Sequence, residues 1–124
     1  MDLDRAAVTR WIDGYETAWR TAGTDGLAEL FAGDATYSQG PYREPVAGLA
    51  AIAGMWEAER DGHDEGFDML AELLAVDGGT AVARVSVRYH DPAREYLDLW
   101  VMRFDDEGRC RVFEEWPYAP PGQD

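Results

Sequence analysis

Four charged side chains near the C-terminal half are placed where they could do chemistry together. Arg84 and Arg88 belong to Ala83-Arg-Val-Ser-Val-Arg-Tyr-His90, a stretch that alternates strictly, and Asp98 and Glu115 sit at matching alternate positions further on. A carboxyl group in a dry pocket has a raised pKa and can act as a general base, and a nearby guanidinium can steady a developing oxyanion. Glu115 and Asp98 are therefore candidate bases and Arg84 a candidate stabiliser. The same four groups also have a purely structural reading, as an ion-pair ladder that neutralises buried charge.

Aromatic and amide groups could complete such a site. Tyr37, Gln39 and Tyr42 surround the Gly40-Pro41 break and suit hydrogen bonds to a ligand carbonyl or hydroxyl. Trp19, Trp56 and Trp100 could floor a ligand site, although tryptophans on helix stripes are more often core. Tyr15, Arg88, Tyr96 and Phe113 complete the candidate binding set.

Alternation requires strands, and strands require a register. The spacing predicts helices over Val8–Trp19, from Thr24-Asp25 through Phe31, and along Leu49, Ile52, Met55 and Trp56, with Asp4 capping the first. A strand from Ala35 to Gln39 follows the second helix. A polar loop runs from Asp61 to Gly66. Beyond it the period changes to two, giving strands Phe67–Val76, Ala81–Tyr89, Glu95–Phe104 and Arg109–Tyr118, joined by turns at Asp77–Thr80, His90–Ala93 and Asp105–Gly108. The pattern of Phe67–Val76 also suits a helix, and it is read as a strand because Asp77–Thr80 looks like a hairpin turn. Helices first and a strand meander last make an α+β plan, a single domain over residues 1–118 with a flexible tail over 119–124. Such strands can curl beneath the helices into a cone.

Taking His90–Arg94 as the connection puts Arg88 opposite Tyr96 and Ser86 opposite Asp98. One sheet face then carries Arg84, Ser86, Arg88, Tyr96, Asp98, Trp100, Met102, Phe113 and Glu115. The other carries Val85, Val87, Leu97, Leu99, Val101, Val112 and Trp116. Either face could lie under the helices. With the mixed face inward, the aliphatic face is left for a second copy of the chain, forming a homodimer through the outer sheet face. The inverse follows the usual alternation of antiparallel sheets.

The 124 residues hold 11 basic and 25 acidic side chains, a net charge of −14. That disfavours nucleic acid and anionic membrane partners. No apolar run is long enough to span a bilayer, and the first residues resemble neither a secretory signal nor a transit peptide. One cysteine, Cys110, excludes an internal disulfide and fits a cytoplasmic location. His63 and His90 fall in turns without metal-ligand spacing, so no metal is expected. Nor is a phosphate loop present, and no cofactor is implied.

The order of elements, with Leu30-Phe-Ala-Gly-Asp-Ala-Thr-Tyr37 closing the helical half and Phe104-Asp-Asp-Glu-Gly-Arg-Cys-Arg-Val-Phe-Glu-Glu-Trp116 closing the chain, resembles the nuclear transport factor 2-like superfamily, more narrowly its SnoaL-like branch. The resemblance spans roughly residues 4–118. It implies a cone-shaped α+β barrel, three N-terminal helices packed on a curved antiparallel sheet, with a central pocket for a small hydrophobic organic ligand. Superfamily members include polyketide cyclases, ketosteroid isomerase, scytalone dehydratase and limonene epoxide hydrolase, together with noncatalytic association modules, so fold does not settle function. The expectation is a small-molecule-binding protein, either a cofactor-free acid–base enzyme or a noncatalytic homodimeric sensing or association module.

Limonene epoxide hydrolase carries a strand Arg-x-Asp pair, a last-strand aspartate and an early Tyr-x-Asn. Matched by motif these fall on Arg84 and Ser86, on Glu115, and on Tyr37 and Gln39. The serine departs from that pattern, since it cannot serve as a carboxylate base. The isomerase pattern would put its base at or beside Gln39 and its oxyanion tyrosine near Tyr15 or Glu16. Cyclase and dehydratase patterns lean on a pocket histidine, which neither histidine here supplies. The resemblance turns the mixed face inward.

Overall fold

A computed structural model of the chain describes residues 3–60 and 66–123. Most of the polar loop expected at 61–66, with His63, lies outside the described residues. Helix α1 (Arg5–Trp19) starts at Asp4, whose carboxylate accepts from the Ala7 amide at 2.8 Å, so the expected cap forms. It buries Val8, Trp11, Ile12 and Tyr15, one stripe at helical spacing. The helix is tied along one strand at both ends. The Leu3 amide donates to Gly78 O at 3.1 Å, and the Arg20 guanidinium donates to Phe67 O at 2.9 Å while lying over the Phe67 ring.

Helix α2 is one turn, Leu27–Leu30, and strand β1 follows at once as Phe31–Ser38. The sequence reading carried the helix through Phe31 and began the strand at Ala35. The β-rich run Phe31–Tyr37 instead pairs with the last strand, β6 (Cys110–Tyr118), in parallel. A two-residue strand β2 (Val46–Ala47) pairs with β1 and leads into α3 (Leu49–Glu59). Strands β3 (Phe67–Asp77), β4 (Thr80–His90) and β5 (Ala93–Phe104) complete the sheet in the order β2-β1-β6-β5-β4-β3. Apart from the β1–β6 pair the sheet is antiparallel, and the helices pack on one face of its curve, as the α+β reading expects.

Two turns set the registers. Gly78, in the left-handed region at φ 59°, makes the tight β3–β4 turn. Asp105 Oδ1 accepts from the amides of Glu107 and Arg109 at 2.9 and 3.0 Å, an Asx-type turn between β5 and β6.

The β4–β5 turn corrects the expected sidedness. His90 stands opposite Ala93, so only Asp91 and Pro92 connect the strands. Arg84 therefore faces Leu99 and Ser86 faces Leu97, while Val85 faces Asp98 and Val87 faces Tyr96. The register lies one residue from the expected one, and a slip of one turns every side chain of a strand over. Val85 and Val87 point under the helices, and Arg84, Ser86 and Arg88 point outward. Strands β5 and β6 keep the expected faces: Trp100 pairs with Glu115 and Met102 with Phe113, two residues from the predicted pairing, which preserves the side.

Aromatic packing fills the space under the helices. Phe113 is fully buried beneath Trp11, Tyr15, Tyr37 and Trp100, with centroids at 4.7–5.8 Å. Ala81 and Ala83, small inward residues of β4, sit opposite Met102 and Trp100 and leave room for them. In the C-terminal tail Gln123 accepts from the Glu95 amide at 2.9 Å and donates to Glu95 O at 2.7 Å.

Candidate functional site

Between α1, α3 and the open half of the sheet lies a cavity of about 300 Å³. It is at the small end of the range for organic-ligand sites. Tyr15 and Trp19 of α1, Met55 and Glu59 of α3, and Tyr37 and Gln39 at the end of β1 form one wall. The inward rows of the sheet form the other: Phe67 and Met69 of β3, Val87 and Tyr89 of β4, Arg94, Tyr96, Asp98 and Trp100 of β5, and Glu115 and Pro117 of β6.

Two carboxyl groups stand in this mostly aromatic wall. Asp98 is 6 % exposed, and its burial raises its pKa to about 6. The neighbouring indole N–H of Trp100 offsets part of that rise. Glu115 is half-buried at the cavity wall. Its desolvation, with the charges of Asp98 and Glu59 across the cavity, pushes its pKa up to about 8. No arginine or histidine contributes to either shift. Near neutrality Glu115 holds its proton and Asp98 has released its own.

A second polar pair lies beside them. The hydroxyls of Tyr15 and Tyr37 are 2.6 Å apart and buried. Burial, reinforced by Glu115, raises both pKa values well above the ordinary range, so both stay neutral donors. One hydroxyl proton is spent between them, which leaves the other free to donate elsewhere.

Of the candidate residues, the structure brings Tyr15, Trp19, Tyr37, Gln39, Tyr96, Asp98, Trp100 and Glu115 to one cavity. It does not bring the arginines. Arg84 pairs with Glu72 at 2.5 Å and Arg88 with Glu95 at 3.4 Å, both at exposed positions of the outer face. The placement of Arg84 as an oxyanion stabiliser and of Arg88 as a ligand contact is thereby corrected, as is the ladder with Asp98 and Glu115. Each guanidinium finds its carboxylate directly opposite on the neighbouring strand, with no desolvation. Tyr42 projects wholly into solvent, because the chain turns outward after Gly40. Trp56 and Phe113 lie behind the wall: Trp56 is sealed against Tyr15 and Trp19, at 5.0 and 4.7 Å between centroids.

The sequence reading missed Glu59, Arg94 and the inward residues of β3 and β4. Glu59 follows Met55 by four, one helical turn along the same face, and that spacing was the available signal. Arg94 sits opposite Tyr89 in the register, its guanidinium 4.2 Å from that ring centroid. Arg60, at the end of α3, was also missed. Its buried guanidinium donates to the carbonyls of Ala18, Trp19, Thr21 and Gly23 at 2.9–3.3 Å and pairs with Glu57. That caps the C-terminus of α1 and fixes Tyr15 and Trp19 at the cavity. Among the described residues no cluster of ligating side chains suits a metal ion. None of their helices is long and apolar enough to cross a membrane.

Several solved structures share this architecture. A protein described as a putative ketosteroid isomerase from Kribbella flavida is 20 % identical, over 96 % of this chain and 82 % of its own, with a TM-score of 0.70. The epoxide hydrolase/cyclase-like enzyme SalBIII, described in pyran ring formation in the polyether salinomycin, is 15 % identical, over 93 % of each chain, with a TM-score of 0.74. A nuclear transport factor 2-like protein of unknown function from Mesorhizobium loti is 20 % identical, over 96 % of this chain and 98 % of its own, at 0.71. At these identities the likeness is one of fold. No curated protein matches the chain. The SnoaL-like domain family matches residues 8–113, nearly the whole folded unit, and the chain belongs to that family.

Proposed function

We propose that the chain is a cofactor-independent acid–base enzyme acting on a small, largely apolar organic molecule that carries an oxygen function. The observation that carries this reading is the pair of cavity carboxyls, Asp98 and Glu115, with opposite protonation near neutrality and no arginine neutralising either. Two titratable groups whose surroundings push their pKa values apart divide the roles of base and acid. Asp98 accepts a proton from the substrate or from water. Glu115 delivers its proton to the oxygen that gains charge. The free hydroxyl proton of the Tyr15–Tyr37 pair supports that oxygen from the helix side. Gln39 at the cavity edge adds an amide for orientation. After turnover Asp98 is protonated and Glu115 ionised, and exchange with solvent restores both.

The experiment is turnover of two probes of matching size, a ten-carbon cyclic epoxide and a β,γ-unsaturated cyclic ketone, by the wild type, Glu115→Gln and Asp98→Asn. The reading expects at least one probe to turn over and each substitution to reduce kcat by about a hundredfold or more with the fold intact. Wild-type inactivity on both, together with tight binding of unreacted probe, would support the noncatalytic ligand-sensing alternative.

We further propose that the protein is a homodimer through its outer sheet face. Leu70, Ser86, Leu97 and Tyr118 form one continuous row across four strands, and the three large residues are 74, 48 and 61 % exposed. Leu97→Glu would then yield a monomer in light-scattering chromatography. A cytoplasmic location accords with the lone, buried thiol of Cys110.

A further inference from the structure

Among the described residues, Arg94 is the only basic side chain that lines the cavity. The chain holds 25 acidic and 11 basic side chains, and the same wall carries the carboxyls of Glu59, Asp98 and Glu115. A guanidinium in such a wall is an exception that asks for a cause. Neutralising the working pair is not that cause, because Arg94 is not among the charges that act on Asp98 or Glu115.

Its place is the outer end of the cavity. Arg94, Tyr96, Asp98 and Trp100 alternate along the inward row of β5, and burial deepens along them. The first two are half-buried, Asp98 is 6 % exposed and Trp100 is 1 % exposed. Four residues of strand put about 13 Å between the backbones of Arg94 and Asp98. Salt screens exposed charges beyond about 8 Å, so an anion at Arg94 is largely shielded from Asp98.

The arginine is also held from beneath. Its guanidinium lies over the Tyr89 ring, 4.2 Å from the centroid and directly across the β4–β5 ladder. Tyr89 is itself fixed between Phe67 and Tyr96, with centroids at 5.8 and 6.3 Å. A guanidinium meets a ring with its face, while its N–H donors lie in the plane as a fork that matches a carboxylate. The three rings offer apolar surface to whatever follows the anion inward. A singly charged carboxylate suits this acidic wall better than a doubly charged phosphate.

We propose that Arg94 anchors a carboxylate of the substrate at the cavity mouth, so that the substrate is an organic acid whose apolar body carries its oxygen function inward. This deepens the acid–base reading and rests on it only for what happens at the inner end. The anchor fixes one orientation. An acid group entering first would be buried beside Asp98 with no cation to pair it.

The test is calorimetric binding of 4-phenylbutanoate and its neutral counterpart 4-phenylbutanamide to the full chain near neutral pH. Wild-type protein should bind the acid at least about tenfold more tightly, as a hydrogen bond to a charged group allows. Added salt should weaken binding of the acid and leave the amide unmoved. Arg94→Gln should erase the preference by weakening the acid alone, and Arg94→Lys, which keeps the charge without the fork, should recover part of it. If Arg94 only packs on Tyr89, Arg94→Gln weakens both probes alike. That result overturns the proposal, as does a wild-type protein that binds the amide as well as the acid. If Arg94→Gln fails to fold, the wild-type preference and its salt dependence decide alone. Acid preference in a protein that turns over none of the probes sinks the acid–base reading and leaves this inference standing. Turnover of the neutral epoxide or ketone by a protein indifferent to the acid does the reverse.

Discussion

Asp98 and Glu115 occupy neighbouring strands on the same sheet face, one diagonal step apart: Asp98 pairs with Pro117, and Glu115 pairs with Trp100. Diagonal neighbours are within reach of each other's charge, and that proximity feeds the raised pKa of Glu115. The two groups must be in opposite states to work. Activity should fall on the acid side as Asp98 gains its proton near pH 6, and on the basic side as Glu115 loses its proton near pH 8. A bell-shaped profile of kcat/KM with these limbs is expected, whereas a flat profile from pH 5 to 9 would refute the division of roles. Glu59, whose charge raises Glu115 across the cavity, gives a control. Glu59→Gln should move the basic limb down while leaving the acidic limb in place.

The same shifts predict a trade between activity and stability. Both carboxyls have folded-state pKa values above their ordinary ones, Asp98 at about 6 against 3.8 and Glu115 at about 8 against 4.5. Below the ordinary values both states are protonated, and the groups do not bias folding. As pH rises the unfolded chain ionises first, so the native state loses stability through this window, and the loss is complete above about pH 8. Glu115→Gln keeps the shape and removes the ionisation. Denaturant melts should find it on the order of 2–4 kcal/mol more stable than wild type at pH 9, with the difference vanishing near pH 4. A variant less stable than wild type at pH 9 would mean that the carboxylate is held by compensating contacts.

Arg84 and Arg88 lie outside the cavity, and their ion pairs with Glu72 and Glu95 are exposed. Pairs of this kind contribute at most about 1 kcal/mol each. Arg84→Ala and Arg88→Ala should therefore leave turnover and probe affinity within about twofold of wild type and stability within about 1 kcal/mol. A hundredfold loss of activity in Arg84→Ala would restore it to the site.

The arginines also show what was and was not legible in the chain. Hydrophobic periods located α1, α3 and the strands β4, β5 and β6, because each is long enough to impose its period, whereas β3 was legible only through the hairpin turn at Asp77–Thr80, since its own pattern also suits a helix. The inward facing of Asp98, Trp100 and Glu115 was legible too, since the register error between β5 and β6 was two residues and left every side chain on its face. Between β4 and β5 the error was one residue. Turn residues alone do not separate a two-residue turn at Asp91-Pro92 from a five-residue connection, and that single ambiguity turned Arg84 and Val85 over. Desolvation could not arbitrate, because Asp98 and Glu115 offered the two arginines two carboxylates on the expected inward face, whereas in the fold Glu72 and Glu95 pair with them at exposed positions. Tyr42 was misplaced for another reason: a Gly-Pro break marks a turn without telling which way the chain leaves it. Trp56 and Phe113 had the right face but the wrong depth, which depends on packing between elements that the sequence brings together only after folding.

Tyr15 and Tyr37 offer the sharpest test of the helix-side half of the site. Their hydroxyls, 2.6 Å apart and buried, satisfy each other across the gap between α1 and β1. Removing one leaves the other without its partner, and an unsatisfied buried hydroxyl costs about 1–3 kcal/mol. Tyr15→Phe and Tyr37→Phe should each destabilise by that amount, while the double variant should cost less than the sum, because no orphan remains. Activity should behave differently. Each single variant retains one hydroxyl and should keep measurable turnover, whereas the double variant loses the last donor on that side and should fall by about tenfold or more below either. A double variant as active as the singles would reduce the tyrosine pair to a packing contact and leave Glu115 as the sole donor to the developing oxyanion.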